Sequence, residues 1–220
     1  MKNTIVVAGA TGNLGYRIAA QLIKNGAHVK AIVRSSSDPE KVESIRKMGI
    51  EVVVVNFLNR EELITALQGA QCVVSAVTGL HDVIVDTQLK ILDAAISAGV
   101  KRFIPSDFSS DFTGIPNGEN RNFDLRKEFQ RHLDSSPIKA TTIFNGCFAD
   151  ILRYNTPLFN LKSQTVAYYE NKADWKMDFT TMDDTAAFTA KAALDSTTPR
   201  FLRIASFQIS PVDLVQLSKE

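Results

Sequence analysis

The chain has 220 residues, 45% of them hydrophobic and 22% charged, with a net charge of +1. That length supports one sizeable core with an appendage better than two independent domains, and the composition is that of an ordinary globular protein. Near-neutral charge with no concentrated basic face argues against nucleic acid or an anionic membrane as the partner.

Met1-Lys2-Asn3 leads straight into the apolar run Thr4 to Ala8, which is too short for the core of a signal peptide. No apolar stretch reaches the roughly 18 residues of a membrane span. Cys72 and Cys147 both sit in apolar runs, where a reduced, buried thiol is the default. Together these features predict a cytoplasmic protein.

Near-continuous β-branched runs recur at Thr4 to Ala8, His28 to Val33, Glu51 to Val55, Gln71 to Val77, Arg102 to Pro105 and Lys139 to Phe144. Runs of this kind suit parallel strands covered on both faces. Helix signals separate them. Leu14, Ile18 and Leu22 share a face, and Gly26 stands where that helix would stop. Asp38-Pro39-Glu40 opens the next helix with a cap, a first-turn proline and an acid, and Gly49 closes it. Leu89, Leu92, Ala95 and Ile96 make a stripe ending at Gly99. The alternation predicts a doubly wound α/β sheet with right-handed crossovers.

After Phe144 the rhythm changes. Pro157, Tyr168-Tyr169, a polar stretch from Glu170 to Asp174 and an alanine-rich helix from Asp183 to Leu194 follow in turn. Phe201 to Glu220 reads as a strand and the beginning of a helix. The chain thus divides into a nucleotide-binding Rossmann domain over residues 1–145 and a mixed segment over 146–220, which completes the sheet and caps its carboxyl end, where open α/β folds bind ligands.

The first strand ends in Gly9-Ala10-Thr11-Gly12-Asn13-Leu14-Gly15. In such a strand-turn-helix unit the first glycine permits the tight turn, the second lets backbone approach a pyrophosphate, and the third lets the helix pack on the strand. The helix N-terminus then offers free amides and positive dipole to phosphate. Its place after an apolar strand and before an amphipathic helix marks this turn as a dinucleotide site. The second strand ends at Val33-Arg34-Ser35-Ser36-Ser37, where an NAD-selective protein would place an acid for the ribose 2′-hydroxyl. An arginine among hydroxyls suits a 2′-phosphate instead, and Lys41 adds a second positive charge. NADP(H) is therefore favoured over NAD(H).

The glycine turn, Val33-Arg34, the block Ala95-Ile96-Ser97-Ala98-Gly99-Val100-Lys101-Arg102-Phe103-Ile104-Pro105-Ser106-Asp107-Phe108, and Asp183-Asp184-Thr185-Ala186 together resemble the NmrA-like and isoflavone-reductase-like branch of the atypical short-chain dehydrogenases. The resemblance spans nearly the whole chain in the family's order, with Asp107 and Ser109 where the family more often has Glu and Gly. It implies an oxidoreductase transferring hydride from NADPH to a small apolar carbonyl, quinone or enone. On this reading Thr78, Gly79, Ser106 and Phe108 meet the nicotinamide ribose and ring, and Lys127 is the proton relay.

Lys127 has two readings. Leu125, Phe129 and Leu133 form the apolar stripe of its helix, and Lys127 projects almost opposite, as a solvated lysine would. The resemblance makes it catalytic, with Arg126 and Arg131 close in sequence. The string Tyr168 to Lys172 has the Tyr-x-x-x-Lys spacing of other short-chain dehydrogenases, but it falls in a polar, hairpin-like region rather than on a long helix. His28, His81 and His132 share no metal-ligand spacing. Phe108, Phe112, Phe144, Phe148 and Phe159 favour an apolar substrate where they are not simply core. The competing reading is a non-catalytic NADP(H) sensor that signals to a protein partner, since one fold hosts both.

Overall fold

The computed structural model describes residues 3–156 and 158–218. Pro157, Lys219 and Glu220 lie outside the described residues. Six parallel strands form the central sheet: β1 (Thr4–Ala8), β2 (His28–Val33), β3 (Glu51–Val54), β4 (Cys72–Ser75), β5 (Arg102–Ile104) and β6 (Lys139–Ala140). Their order is β3-β2-β1-β4-β5-β6. The order reverses between β1 and β4, and the crevice at such a reversal is where doubly wound sheets bind ligands.

Helices α1 (Asn13–Lys24), α2 (Pro39–Lys47), α3 (Arg60–Leu67), α4 (Gln88–Ser97) and α5 (Arg121–Asp134) make the crossovers. They cover both faces, so the strands of the sheet centre are buried on both sides, and β1 from Ile5 to Ala8 is wholly inaccessible. One core lies under α1, with Ile18, Ala19 and Leu22 against Val7 and Val74. The other lies under α3, α4 and α5, with Leu63, Ile91 and Phe129 against Val6 and Phe103. The alanine-rich helix α6 (Met182–Leu194) belongs to the first core, where Ala186, Ala190 and Ala193 join the α1 residues. Small side chains at that contact permit close helix approach.

Two regions differ from the sequence expectation. The run from Lys139 to Phe144 is two strands, because β6 pairs with β5 while β7 (Thr142–Phe144) pairs in parallel with β12 (Phe201–Arg203). The cause lies in Arg102, a 5%-exposed side chain at the start of β5. Its guanidinium donates to Thr141 Oγ1 and to the carbonyls of Ser196 and Thr198. These bonds bring the chain leaving α6 beside the sheet, where β12 pairs with β7 in a separate two-stranded sheet. The C-terminal stretch contains two strands rather than one, β12 and β13 (Phe207–Ile209), before helix α7 (Pro211–Leu217). A small second sheet of β13, β11 (Met177–Thr180) and β8 (Cys147–Phe148) and a short hairpin of β9 (Phe159–Asn160) and β10 (Thr165–Val166) make up the remainder. Phe159, Phe179, Ile209 and Leu214 form a core of their own there. No helix among the described residues is long and apolar enough to cross a membrane.

Candidate functional site

The turn between β1 and α1 is shaped by what its glycines lack. Gly9 has φ +84°, and a Cβ there would lie 2.5 Å from the Ala76 carbonyl oxygen just beyond β4. The amide of Gly12 donates to the Gly9 carbonyl at 2.9 Å and closes the turn. A Cβ on Gly15, in the first turn of α1, would overlap that same Gly9 carbonyl. Backbone occupies both places, so neither neighbour can yield. Leu14 is half-buried against the core, and Asn13 accepts from Arg17 Nε at 2.9 Å.

Helix α1 differs at its N-terminus from every other α-helix but α4, which also lacks a side-chain cap but continues directly from the helical segment Asp82–Thr87. Side chains of Asp38, Asn59, Asn120, Thr181 and Ser210 accept from first-turn amides of α2, α3, α5, α6 and α7. At α1 the cap is Gly12, with no side-chain hydrogen bond and no acid in the first turn. Its amides and dipole are left for an anion.

Two recesses meet at this turn. One, of about 300 Å³, is lined by Gly9, Thr11, Gly12, Arg34, Phe57 and Thr78, among others. The second, of about 620 Å³, shares Thr11 and Gly12 and continues past Asn13, Arg17 and Lys41. Among the described residues neither Arg34 nor Lys41 enters an ion pair, whereas Arg17 is engaged with Asp183. A turn with no room for side chains, an uncapped helix and two exposed, unspent cations fit the pyrophosphate and 2′-phosphate of NADP(H). Phe57, which the sequence reading did not single out, sits on the loop after β3. Its position at a carboxyl strand end was the available signal.

The remaining predicted contacts are arranged unevenly. Thr78 lines the smaller recess, whereas Gly79 lies outside it, exposed and against Val83. Val83 and Thr87, on a π-helical segment Asp82–Thr87, also line it. Ser106 is 6% exposed; its hydroxyl donates to the Val77 carbonyl at 2.7 Å, and its amide donates to Gln88 Oε1 at 2.9 Å. These bonds fix the edge of the recess from behind. Phe108 is buried in the first core. Phe112 meets Phe144 edge to face at 5.3 Å, and Phe159 lies apart in the small C-terminal core.

Lys127 is not the solvated lysine that periodicity suggests: its side chain is 15% exposed. Its ammonium donates to the Ile115 carbonyl and, at 3.3 Å, to Asn117 Oδ1, tying the loop before α5 to the helix. Arg126 beside it is also sequestered, and burial lowers its pKa against the opposing charge of Asp107. His81 lies outside the recess, exposed, between Glu128 at 3.1 Å and Asp86 at 3.4 Å. Tyr168 and Lys172 stand in the irregular loop between β10 and β11, not on a helix, with the lysine over the Trp175 ring.

The NmrA-like family model matches residues 1–218. Pinoresinol reductase 2 of Arabidopsis thaliana is 30% identical across 98% of this chain and 73% of that protein. Phenylcoumaran benzylic ether reductase IRL1 of Ginkgo biloba is 28% identical across 98% of this chain and 74% of its own. The solved structure of AtPrR2 with NADP+ and (+)pinoresinol superposes with a TM-score of 0.82 at 28% identity, covering 99% of this chain and 75% of that one.

Proposed function

The chain belongs to the NmrA-like family, and from that premise we propose that it is an NADP(H)-dependent oxidoreductase acting on a small, largely apolar carbonyl, quinone or enone. The observation that carries this reading is the uncapped α1 N-terminus, set at a glycine turn beside two unspent cations. Backbone amides of Asn13, Leu14 and Gly15 hold the pyrophosphate, with Gly9, Thr11 and Gly12 shaping the turn. Arg34 and Lys41 hold the 2′-phosphate. Thr78 forms the rim toward the nicotinamide ribose, with Gly79 just beyond it, and Ser106 braces that rim from behind, with Phe108 in the core next to it. When bound, NADPH supplies the hydride.

Lys127 delivers the proton that the reduced substrate needs. Its shielded ammonium and its tether to the loop carbonyl favour this role over that of a surface charge. The names of relatives, reductases of pinoresinol and of phenylcoumaran benzylic ethers, support aromatic oxygenated compounds as the substrate class. A reduced-thiol cytoplasmic setting suits Cys72, whose burial pushes its thiol up to about 12.

Incubation with NADPH and a panel of 1,4-naphthoquinone, an aromatic aldehyde and an aromatic enone tests the proposal. NADPH loss with at least one member is the expected result. Binding of NADPH without consumption across the panel would contradict it and favour a sensor that reports cofactor state to a protein partner.

A further inference from the structure

Asp107 is wholly buried just past the end of β5, one residue after Ser106. Its Oδ2 accepts from Gln130 Nε2 at 2.9 Å and from Thr142 Oγ1 at 3.0 Å. Its Oδ1 is buried without a partner, and so is Nε of Arg126. Arg126, Gln130 and Asp134 recur every four residues on α5, which puts them on one helix face. That face meets the sheet through polar groups: Gln130 through Asp107 and Thr142, and Asp134 through Arg200, whose Nε donates to it at 2.9 Å while NH1 donates to Thr142 Oγ1 at 2.8 Å. The apolar stripe of Phe129 and Leu133 lies beside this seam and would seat the helix without it.

A buried carboxylate is costly unless charge or hydrogen bonds compensate it. Here burial raises the pKa of Asp107, even though two hydrogen bonds and the charges of Arg126 and Arg200 oppose the rise. Such an arrangement adds little to stability compared with an apolar contact of the same shape, but it fixes one register and orientation.

We propose that Asp107 is a positioning residue that acts through Gln130, setting α5, and with it Lys127, against the Ser106 edge of the cofactor recess. The consequence for Lys127 follows directly. Gln130 and Lys127 stand three positions apart on α5, so a Gln130 amide held at Asp107 fixes the rotation and height of the turn from which Lys127 leaves the helix, and the ammonium stays on the Ile115 carbonyl. The value of this placement rests on the relay role given to Lys127 above, but the placement itself is measurable without any turnover.

The test is the rate at which acetic anhydride acylates Lys127, followed by peptide mass spectrometry on the intact folded chain. Asp107→Leu fills similar space and removes the acceptor for Gln130 and Thr142. It is expected to raise the Lys127 rate about fivefold by freeing the first turns of α5, while NADPH affinity stays within about twofold. Asp107→Asn restores an acceptor for Gln130 and is expected to return the rate toward that of the parent, a rescue that mere filling of space would not give. Should Asp107→Leu fail to fold, Gln130→Leu breaks the same hydrogen bond from the other side and is expected to raise the rate equally. A Lys127 rate unchanged in whichever of Asp107→Leu and Gln130→Leu folds overturns the proposal. Absence of NADPH turnover in the parent chain would instead overturn the reductase reading and leave the labelling result to stand by itself.

Discussion

At the scale of single residues, the site depends on atoms that are missing as much as on atoms that are present. Gly9 and Gly15 each face backbone carbonyl groups where a Cβ would stand. Backbone cannot rotate away as a side chain does, so the turn must open to admit a methyl group. Gly9→Ala is therefore expected to weaken NADPH binding by at least about tenfold, measured by quenching or enhancement of cofactor fluorescence; unchanged affinity would show that the turn does not hold the pyrophosphate. Lys127 gives a second residue-scale prediction. As a proton donor it contributes on the order of a hundredfold, so Lys127→Ala is expected to lower kcat by that factor with little change in the KM for NADPH. A parallel loss of cofactor affinity would mark it as a strut for the loop at Ile115 instead. The glycines were legible in the sequence because the turn is local and its spacing is its mechanism. The burial of Lys127 and Arg126 was not, because periodicity reports which face a residue takes and not which loop folds over that face.

At the scale of elements, His81 joins the segment after β4 to α5. Its imidazole lies between Glu128 and Asp86, and the hydrogen bond to Glu128 is the main cause of a pKa raised from 6.5. A raised folded-state pKa means that this contribution is complete below the ordinary value and is lost as pH rises through the raised one. His81→Gln is thus expected to melt below the parent chain at about pH 6 and together with it at about pH 9. A difference that persists at the higher pH would contradict the charge-based link. The strands β1 and β2 were readable to the residue because their apolar runs are continuous and bounded by turn signals. The split of Lys139 to Phe144 into β6 and β7 was not readable. It depends on Arg102 reaching the carbonyls of Ser196 and Thr198, nearly a hundred positions away in sequence. The second C-terminal strand, β13, was missed for a related reason, since three residues leave little room for a period to show.

At the scale of the whole molecule, the fold brings together three pieces that the chain keeps apart. The glycine turn, the end of β2 and the end of β4 converge because β1 lies between β2 and β4 in the sheet. That convergence was predictable from the alternation of strand and helix, since doubly wound sheets with right-handed crossovers place carboxyl strand ends on one edge. The role of α6 was less accessible. Its alanines read as helix, but only the packed structure puts them into the core of α1, tying the later chain to the cofactor-binding half. The seam between α5 and the sheet was invisible for the reason that hides most buried polar networks: its members, Asp107, Gln130, Thr142 and Arg200, acquire meaning only as a set.

The central claim is that the charges at the β2 end and early in α2 select the phosphorylated dinucleotide. Titration calorimetry of the parent chain and of Arg34→Ala with NADPH and NADH tests it most directly. The account predicts that the parent prefers NADPH by at least about tenfold, the equivalent of one charge-assisted guanidinium–phosphate interaction, and that Arg34→Ala loses most of that preference. Equal affinity of the parent for the two cofactors, or a preference that survives the loss of Arg34, would contradict it.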